Sequence, residues 1–200
     1  VLGLDEVAGL ARCWAEAVDW DRRRVSVRLP GGAALEGRLS DDWSRAEAAR
    51  LAGRTLDLSK AYKQLAKRPE HRRYSVVTSW SASRRRVEFR LAYSLLFGET
   101  GAVFQASRFF RPLEWIFCKL FRVAVTNYID DYPHLEPEVL AAGGHATALE
   151  VLRLLGWPPK EERPEDRVPR PVFSALGAHF DMSPLVEHGC FRVGNKPGRI

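Results

Sequence analysis

The apolar side chains at the start of the chain recur at intervals of three and four. Leu4, Val7, Ala11, Trp14 and Val18 form one stripe, which predicts a helix over 4–18 with a single buried face. Val25, Val27 and Leu29 then alternate with polar neighbours and run into Pro30-Gly31-Gly32, the pattern of a strand entering a turn. Asp41 and Asp42 precede a short helix over 43–51 that either could cap. Residues 54–58 read as a short strand leading into a helix over 59–67. Residues 74–80 and 87–93 are rich in β-formers and predict a hairpin, with Arg84, Arg85 and Arg86 near its tip. The stretch 102–121 is long, apolar and aromatic, a largely buried helix with Pro112 as kink or boundary. Two apolar runs, 123–129 and 132–135, flank an acidic pair. A helix over 138–155 is weakened at Gly143-Gly144 and closed by Gly156. Residues 158–171, rich in proline and charge, read as a loop, and 172–180 as strand. This order predicts an α+β architecture, helices packed on an antiparallel sheet.

Composition narrows the class. Two hundred residues, 46% of them apolar and 28% charged, suffice for one cored domain, or one domain and part of another. No run of 18 uncharged apolar residues exists to span a membrane, and no basic segment followed by an apolar one opens the chain to favour secretion. Cys13, Cys118 and Cys190 are odd in number and far apart, which argues against a disulfide framework or a zinc site. A reducing, intracellular setting is therefore expected, cytoplasmic or nuclear. The net charge of +6 is unevenly spread: residues 57–125 carry 14 basic and 5 acidic side chains, whereas 1–56 balance and 126–200 are net acidic. Arginine supplies 25 of the 31 cations, the better fork for phosphate oxygens. The middle third thus reads as a face for a polyanion, the competing reading being an ordinary solvated surface in an arginine-rich chain.

Two segments concentrate chemistry. In Asn127-Tyr128-Ile129-Asp130-Asp131-Tyr132-Pro133, two adjacent carboxylates stand at a tight turn between apolar runs. Their repulsion is costly unless water or a cation screens it, and hard oxygen donors suit magnesium; aspartates serving only the turn are the alternative. In Asp57-Leu58-Ser59-Lys60-Ala61-Tyr62, a carboxylate ends a strand between Leu56 and Leu58. It caps the following helix or, if Ser59 takes that role, is free to bind metal. The five histidines share no ligand spacing and read as surface or packing residues. Trp80, Trp115, Trp157 and Cys118 read as core, and no Gly-x-Ser-x-Gly elbow supports serine catalysis.

Together these segments resemble the palm of reverse transcriptases. Asp57 with Tyr62 matches the first acidic motif of that family, and Tyr128-Ile129-Asp130-Asp131 matches its third, 73 residues from Asp57 to Asp130. Arg72-Arg73-Tyr74 before Val76-Val77 resembles the basic-aromatic entry to a strand after the first motif. Leu95-Leu96-Phe97-Gly98 with Val103-Phe104-Gln105 resembles the second motif, although Phe97 stands where the family usually has proline. Leu154-Leu155-Gly156-Trp157 resembles the fourth and Phe173-Ser174-Ala175-Leu176-Gly177 the fifth, the hairpin that grips the primer. The resemblance runs over about 54–182, in the family's order, and points to a retrotransposon-type polymerase.

The resemblance implies a palm with partial fingers, in which 1–53 form an N-terminal segment contributing to the fingers, 54–182 the fingers and palm, and 183–200 a segment leading toward a thumb. It implies RNA-directed DNA synthesis by magnesium, or manganese in its place, on an RNA template with a DNA primer and deoxynucleoside triphosphates, the chain being part of a polyprotein with other domains. Asp57 and Asp130 would be the main metal ligands and Asp131 the auxiliary one. Leu58, Tyr62, Arg72, Arg73 and Gln105 would meet the nucleotide, Tyr62 excluding a 2′-hydroxyl. Gly98, Tyr128, Lys160, Leu176 and Gly177 would meet template and primer, Lys160 being also the nearest candidate for the fourth motif's proton donor. Two other readings stand beside this one: a remnant that binds nucleic acid without catalysis, and an unrelated α+β scaffold whose acids serve turns.

Overall fold

A computed structural model describes residues 3–161, 168–196 and 198. In chain order the elements are α1 (Leu4–Ala17), β1 (Val18–Asp19), β2 (Arg24–Arg28), β3 (Ala34–Arg38), α2 (Arg45–Ala49), β4 (Leu51–Asp57), β5 (Val76–Ser81), β6 (Arg86–Leu91), α3 (Ala102–Trp115), β7 (Asp131–Pro137), α4 (Glu138–Leu154), β8 (Val172–Ala175), β9 (Ala178–Asp181), α5 (Leu185–His188) and β10 (Arg192–Asn195). Every strand pairing is antiparallel, in four small sheets: β1-β2-β3, β4-β7, β5-β6 and β8-β9-β10. The architecture is α+β, as the sequence predicts.

The central ladder is β4–β7. Its register pairs Leu51 with Pro137, Gly53 with Leu135 and Thr55 with Pro133 on one face, and Ala52 with Glu136, Arg54 with His134 and Leu56 with Tyr132 on the other. Each face carries its own core. Leu56 and Tyr132 meet Phe110, Leu113 and Phe117 of the α3 region and Val151 and Leu152 of α4. Leu51 and Leu135 meet Val7 and Ala11 of α1 and Phe173 and Phe180 of the β8–β9 hairpin. Gly53 exchanges two backbone hydrogen bonds with Arg170, 2.9 and 3.1 Å, so the chain before β8 lies along β4. A side chain at Gly53 would strike the Phe173 ring at 2.5 Å, which is why this strand position is glycine.

The hairpin β5–β6 forms as the alternation predicts, but no other layer among the described residues covers it. One face presents Val76, Trp80, Val87, Phe89 and Leu91, all exposed, and the other Glu88, Arg86 and Arg90. A two-stranded ribbon is marginal alone. This one is pinned at its base, where the buried Lys67 ammonium donates to Ser75 Oγ and Glu99, and where Lys67 N–H donates to the Tyr93 carbonyl at 2.9 Å.

Several expectations need correction. Residues 59–67 form no helix beyond a 3₁₀ turn at Ala61–Gln64. Lys60 takes a left-handed φ of +50°, and the backbone of Leu58 and Ser59 is engaged by Pro159 and Pro158. Ser44, not Asp41 or Asp42, caps α2 by accepting from Glu47 N–H. The helix over 102–121 is not largely buried: Ala102, Ala106, Phe110 and Leu113 face the core, while Phe104 and Phe109 are exposed. It passes Pro112 to Trp115 and widens into a π-type turn at Ile116–Leu120. Trp80 and Trp115 are exposed, not core, because nothing among the described residues packs on the ribbon or on that side of α3. Two histidines are more than packing, as described below. Among the described residues no helix is long and apolar enough to cross a membrane.

Candidate active site

β4 ends in Asp57 and β7 begins at Asp131, and the register sets these two residues opposite each other as the last pair of the ladder. Directly opposed like charges destabilise a sheet, so the sequence accepts a cost here. Asp130 lies in the turn that leads into β7. Tyr128 N–H donates to the Asp131 carbonyl at 2.9 Å and Asp131 N–H to the Tyr128 carbonyl at 3.1 Å, closing a two-residue loop of Ile129 and Asp130. Ile129 has a φ of +60°, the first central position of a II′-like turn, where glycine is the usual occupant. A β-branched residue there carries roughly 1–2 kcal/mol of backbone strain. Asn127 Nδ2 holds it by donating to the Ile129 carbonyl at 2.9 Å.

Electrostatics tie the three acids together. Partial burial, then the charges of Asp57 and Asp130, push the Asp131 carboxyl up to about 6, with Lys160 offsetting part of the rise. Burial is also the main cause that raises Asp130, and Asp57 adds to it. Lys160 is the local cation. Its Nζ donates to Asp57 Oδ2 at 2.7 Å and its backbone N–H to the Asp57 carbonyl at 2.8 Å. Ser59 N–H donates to the Pro158 carbonyl and Leu58 pairs with Pro159, so residues 158–160 lie along the end of β4 and deliver Lys160 to the acids. Its ammonium is held above the usual lysine range chiefly by the bond to Asp57.

Two open grooves flank the turn. One, about 630 Å³, is lined by Thr55, Asp57, Asp131, Lys160, Ser174 and Lys196. The other, about 700 Å³, is lined by Phe104, Arg108, Arg111, Asn127, Tyr128 and Ile129. Tyr128 and the tip of the β8–β9 hairpin both approach the start of α1. A Cβ at Gly3 would lie 2.7 Å from the Leu176 side chain and 3.2 Å from the Tyr128 ring, so these two residues converge on the start of α1. Leu176 and Gly177 both have positive φ, +52° and +80°, and close that hairpin tightly.

The other sequence candidates fall into two groups. Tyr62 is buried, tilted against Phe97 with ring centroids 4.4 Å apart and edge-on to Phe110 at 6.3 Å. Burial first, then the Asp130 charge, raises its hydroxyl above the usual tyrosine range. Leu58 follows Asp57 but turns its side chain into the core. Gly98, φ +80°, and Gln105, in the second turn of α3, are exposed. Arg72 and Arg73 do not reach the acids; each lies over a neighbouring ring, Tyr93 at 4.6 Å and Tyr74 at 4.8 Å. Among the described residues no three His, Cys, Asp or Glu side chains are placed together to hold a metal ion, and Asp57 is bonded to Lys160.

Behind the site, on the α4 face of the ladder, lies a buried polar quartet that no motif in the sequence marks. Arg54 Nη1 lies 2.9 Å from His145 Nε2, and His134 Nε2 lies 2.8 Å from Glu136 Oε2, while Glu136 Oε1 accepts Ala124 N–H at 3.0 Å. All four side chains are at most 6% exposed. An arginine inside the otherwise apolar run of β4 is the signal that could reveal it. No family model matches the chain, and no curated protein matches it.

Proposed function

We propose that the chain carries the palm and part of the fingers of a reverse transcriptase and extends a DNA primer on an RNA template. One observation carries this reading: Asp57 and Asp131, 74 positions apart, are cross-strand partners, with Asp130 in the turn beside them. Nucleotidyl transfer asks little covalent chemistry of a protein; it asks for positioning and charge neutralisation. The donor chemistry suits a hard dication, carboxylate oxygens whose mutual repulsion a cation would relieve, although the three side chains are not gathered round one point. Asp57 and Asp130, with Asp131 beside them, would hold magnesium, or manganese in its place. The metal would supply activation of the primer 3′-hydroxyl and neutralisation of charge on the leaving pyrophosphate.

The chain's own residues orient the reactants. The turn of Tyr128–Asp131, kept rigid by Asn127, fixes Asp130 beside the ladder. The Leu176-Gly177 tip, which like Tyr128 approaches Gly3, would seat the primer end. Tyr62, buried beneath the exposed Phe97 ring, would shape the nucleotide sugar pocket from behind that ring. Replacing Tyr62 with Val is expected to raise ribonucleotide incorporation tenfold or more, by analogy with the 10–200-fold worth of small changes in a pocket wall. The check is a competition between ribo- and deoxynucleotides in primer extension. Tyr62→Phe, which keeps the ring, should discriminate like the parent.

The ribbon β5–β6 and its arginine-rich turn would track nucleic-acid phosphates, its exposed aromatic face stacking on unpaired bases. Replacing Arg84, Arg85 and Arg86 with Gln should weaken template binding similarly for all sequences. It should also flatten the slope of log affinity against log salt by about 1–3, roughly 0.7–0.9 for each phosphate no longer neutralised. Fluorescence anisotropy across a salt series measures both. An unchanged slope would remove the ribbon from the template path.

A further inference from the structure

We infer that Lys160 is the built-in counter-cation of the carboxylate site: its ammonium holds Asp57 until a divalent ion takes its place, so that filling the site releases the lysine. The inference rests on reading Asp57, Asp130 and Asp131 as a divalent-cation site. The geometry is specific. Lys160 Nζ lies 2.7 Å from Asp57 Oδ2, and its backbone N–H is bonded to the Asp57 carbonyl at 2.8 Å. The ammonium also feels Asp131 and Asp130, which both favour its charge. Three negative charges and one positive therefore share the end of the β4–β7 ladder, a cluster partly neutralised from within.

The same geometry makes the lysine exchangeable. Its side chain is 64% exposed and that of Asp57 33%, so solvent screens the pair and it is weak by the standard of buried ion pairs. A dication facing three carboxylates gains more than a single ammonium does. Because the backbone bond between Lys160 and Asp57 does not depend on the side chain, a displaced ammonium stays tethered beside the site. No other lysine or arginine makes an ion pair with Asp57, Asp130 or Asp131 among the described residues.

Titration of the full chain with MgCl2 by calorimetry at low ionic strength tests this, with no activity required. Lys160→Ala is expected to bind magnesium about fivefold more tightly than the parent, the upper range for an exposed ion pair. Lys160→Arg should bind like the parent, and the difference should shrink in 0.5 M salt. In the parent chain, acetic-anhydride labelling of Lys160 should rise when MgCl2 is added. If the parent binds magnesium and Lys160→Ala binds equally or more weakly, or labelling does not change, the counter-cation role is overturned while the metal site stands. If neither chain binds magnesium, and Asp57→Asn alters nothing, the metal site itself falls and the inference with it.

Discussion

Primer extension by the Asp130→Asn variant is expected to fall at least about a thousandfold on an RNA template, with the fold intact. The size follows from what a metal-binding carboxylate controls: Lewis-acid stabilisation worth several kcal/mol, each 1.4 kcal/mol being tenfold in rate. Asparagine keeps the shape and loses the charge. The stability response has the opposite sign. Asp130 and Asp131 are both harder to ionise than usual because they are partly buried and repel each other and Asp57. Removing one negative charge relieves that repulsion, so each Asn variant should melt no lower than the parent, and up to ~1 kcal/mol more stably after allowance for solvent screening. That amounts to roughly 2–4 °C for a chain of this size. Loss of activity without loss of stability separates a working site from a structural turn. Extension that survives Asp130→Asn would end the catalytic reading, and a melting point that drops sharply would make these acids structural.

The largest stability effect is expected behind the site. Glu136→Ala should cost about 3–5 kcal/mol, because it leaves His134 and Ala124 N–H without their acceptor in a buried setting. Against a total of roughly 5–15 kcal/mol this approaches unfolding at 37 °C. Urea denaturation measures it; a loss below about 1 kcal/mol would mean that water reaches the cluster. The cluster also predicts an acid dependence. A guanidinium only donates, so the Arg54 contact requires His145 Nε2 to accept, which makes His145 neutral. Burial first, then Arg54 and His134, lower its pKa to about 4, against about 6.5 in an unfolded chain. Below pH ~6.5 the unfolded chain takes up a proton that the folded chain refuses. Stability should therefore fall between pH ~6.5 and 4 by up to ~3 kcal/mol and then level off. In His145→Gln, whose amide oxygen can accept from Arg54, that component of the pH profile should vanish. A profile unchanged by the substitution would assign the acid sensitivity elsewhere.

Much of this is legible in the sequence where a local pattern decides the outcome. The stripe from Leu4 to Val18, the alternation around the arginine-rich turn and the Gly156 stop each carry their own geometry, and α1, β5–β6 and α4 follow. Asp57 and Asp131 can be nominated as a pair only through the resemblance, since their meeting depends on a register that no local signal encodes. Lys160 is harder still. Its approach to Asp57 comes from backbone pairing of Pro158–Lys160 with the end of β4, and prolines read as loop whether or not a strand lies beside them. The helix expected after Asp57 does not form for a related reason: apolar spacing favours it, but tertiary pairing claims the backbone first. Trp80 and Trp115 read as core on size alone, because pattern cannot tell which apolar faces lack a covering layer. The Arg54–His145 contact joins residues 91 apart in sequence, and residue types without a motif leave it invisible.

The turn at Ile129 gives the site a mechanical character. A loop built from glycine would relax, and neighbouring carboxylates would drift apart until their repulsion faded into solvent. A branched residue held at φ +60°, with Asn127 bracing its carbonyl, has no such slack. The hairpin tip acts as a clamp: it keeps Asp130 and Asp131 close to Asp57 against the repulsion that makes both of them harder to ionise.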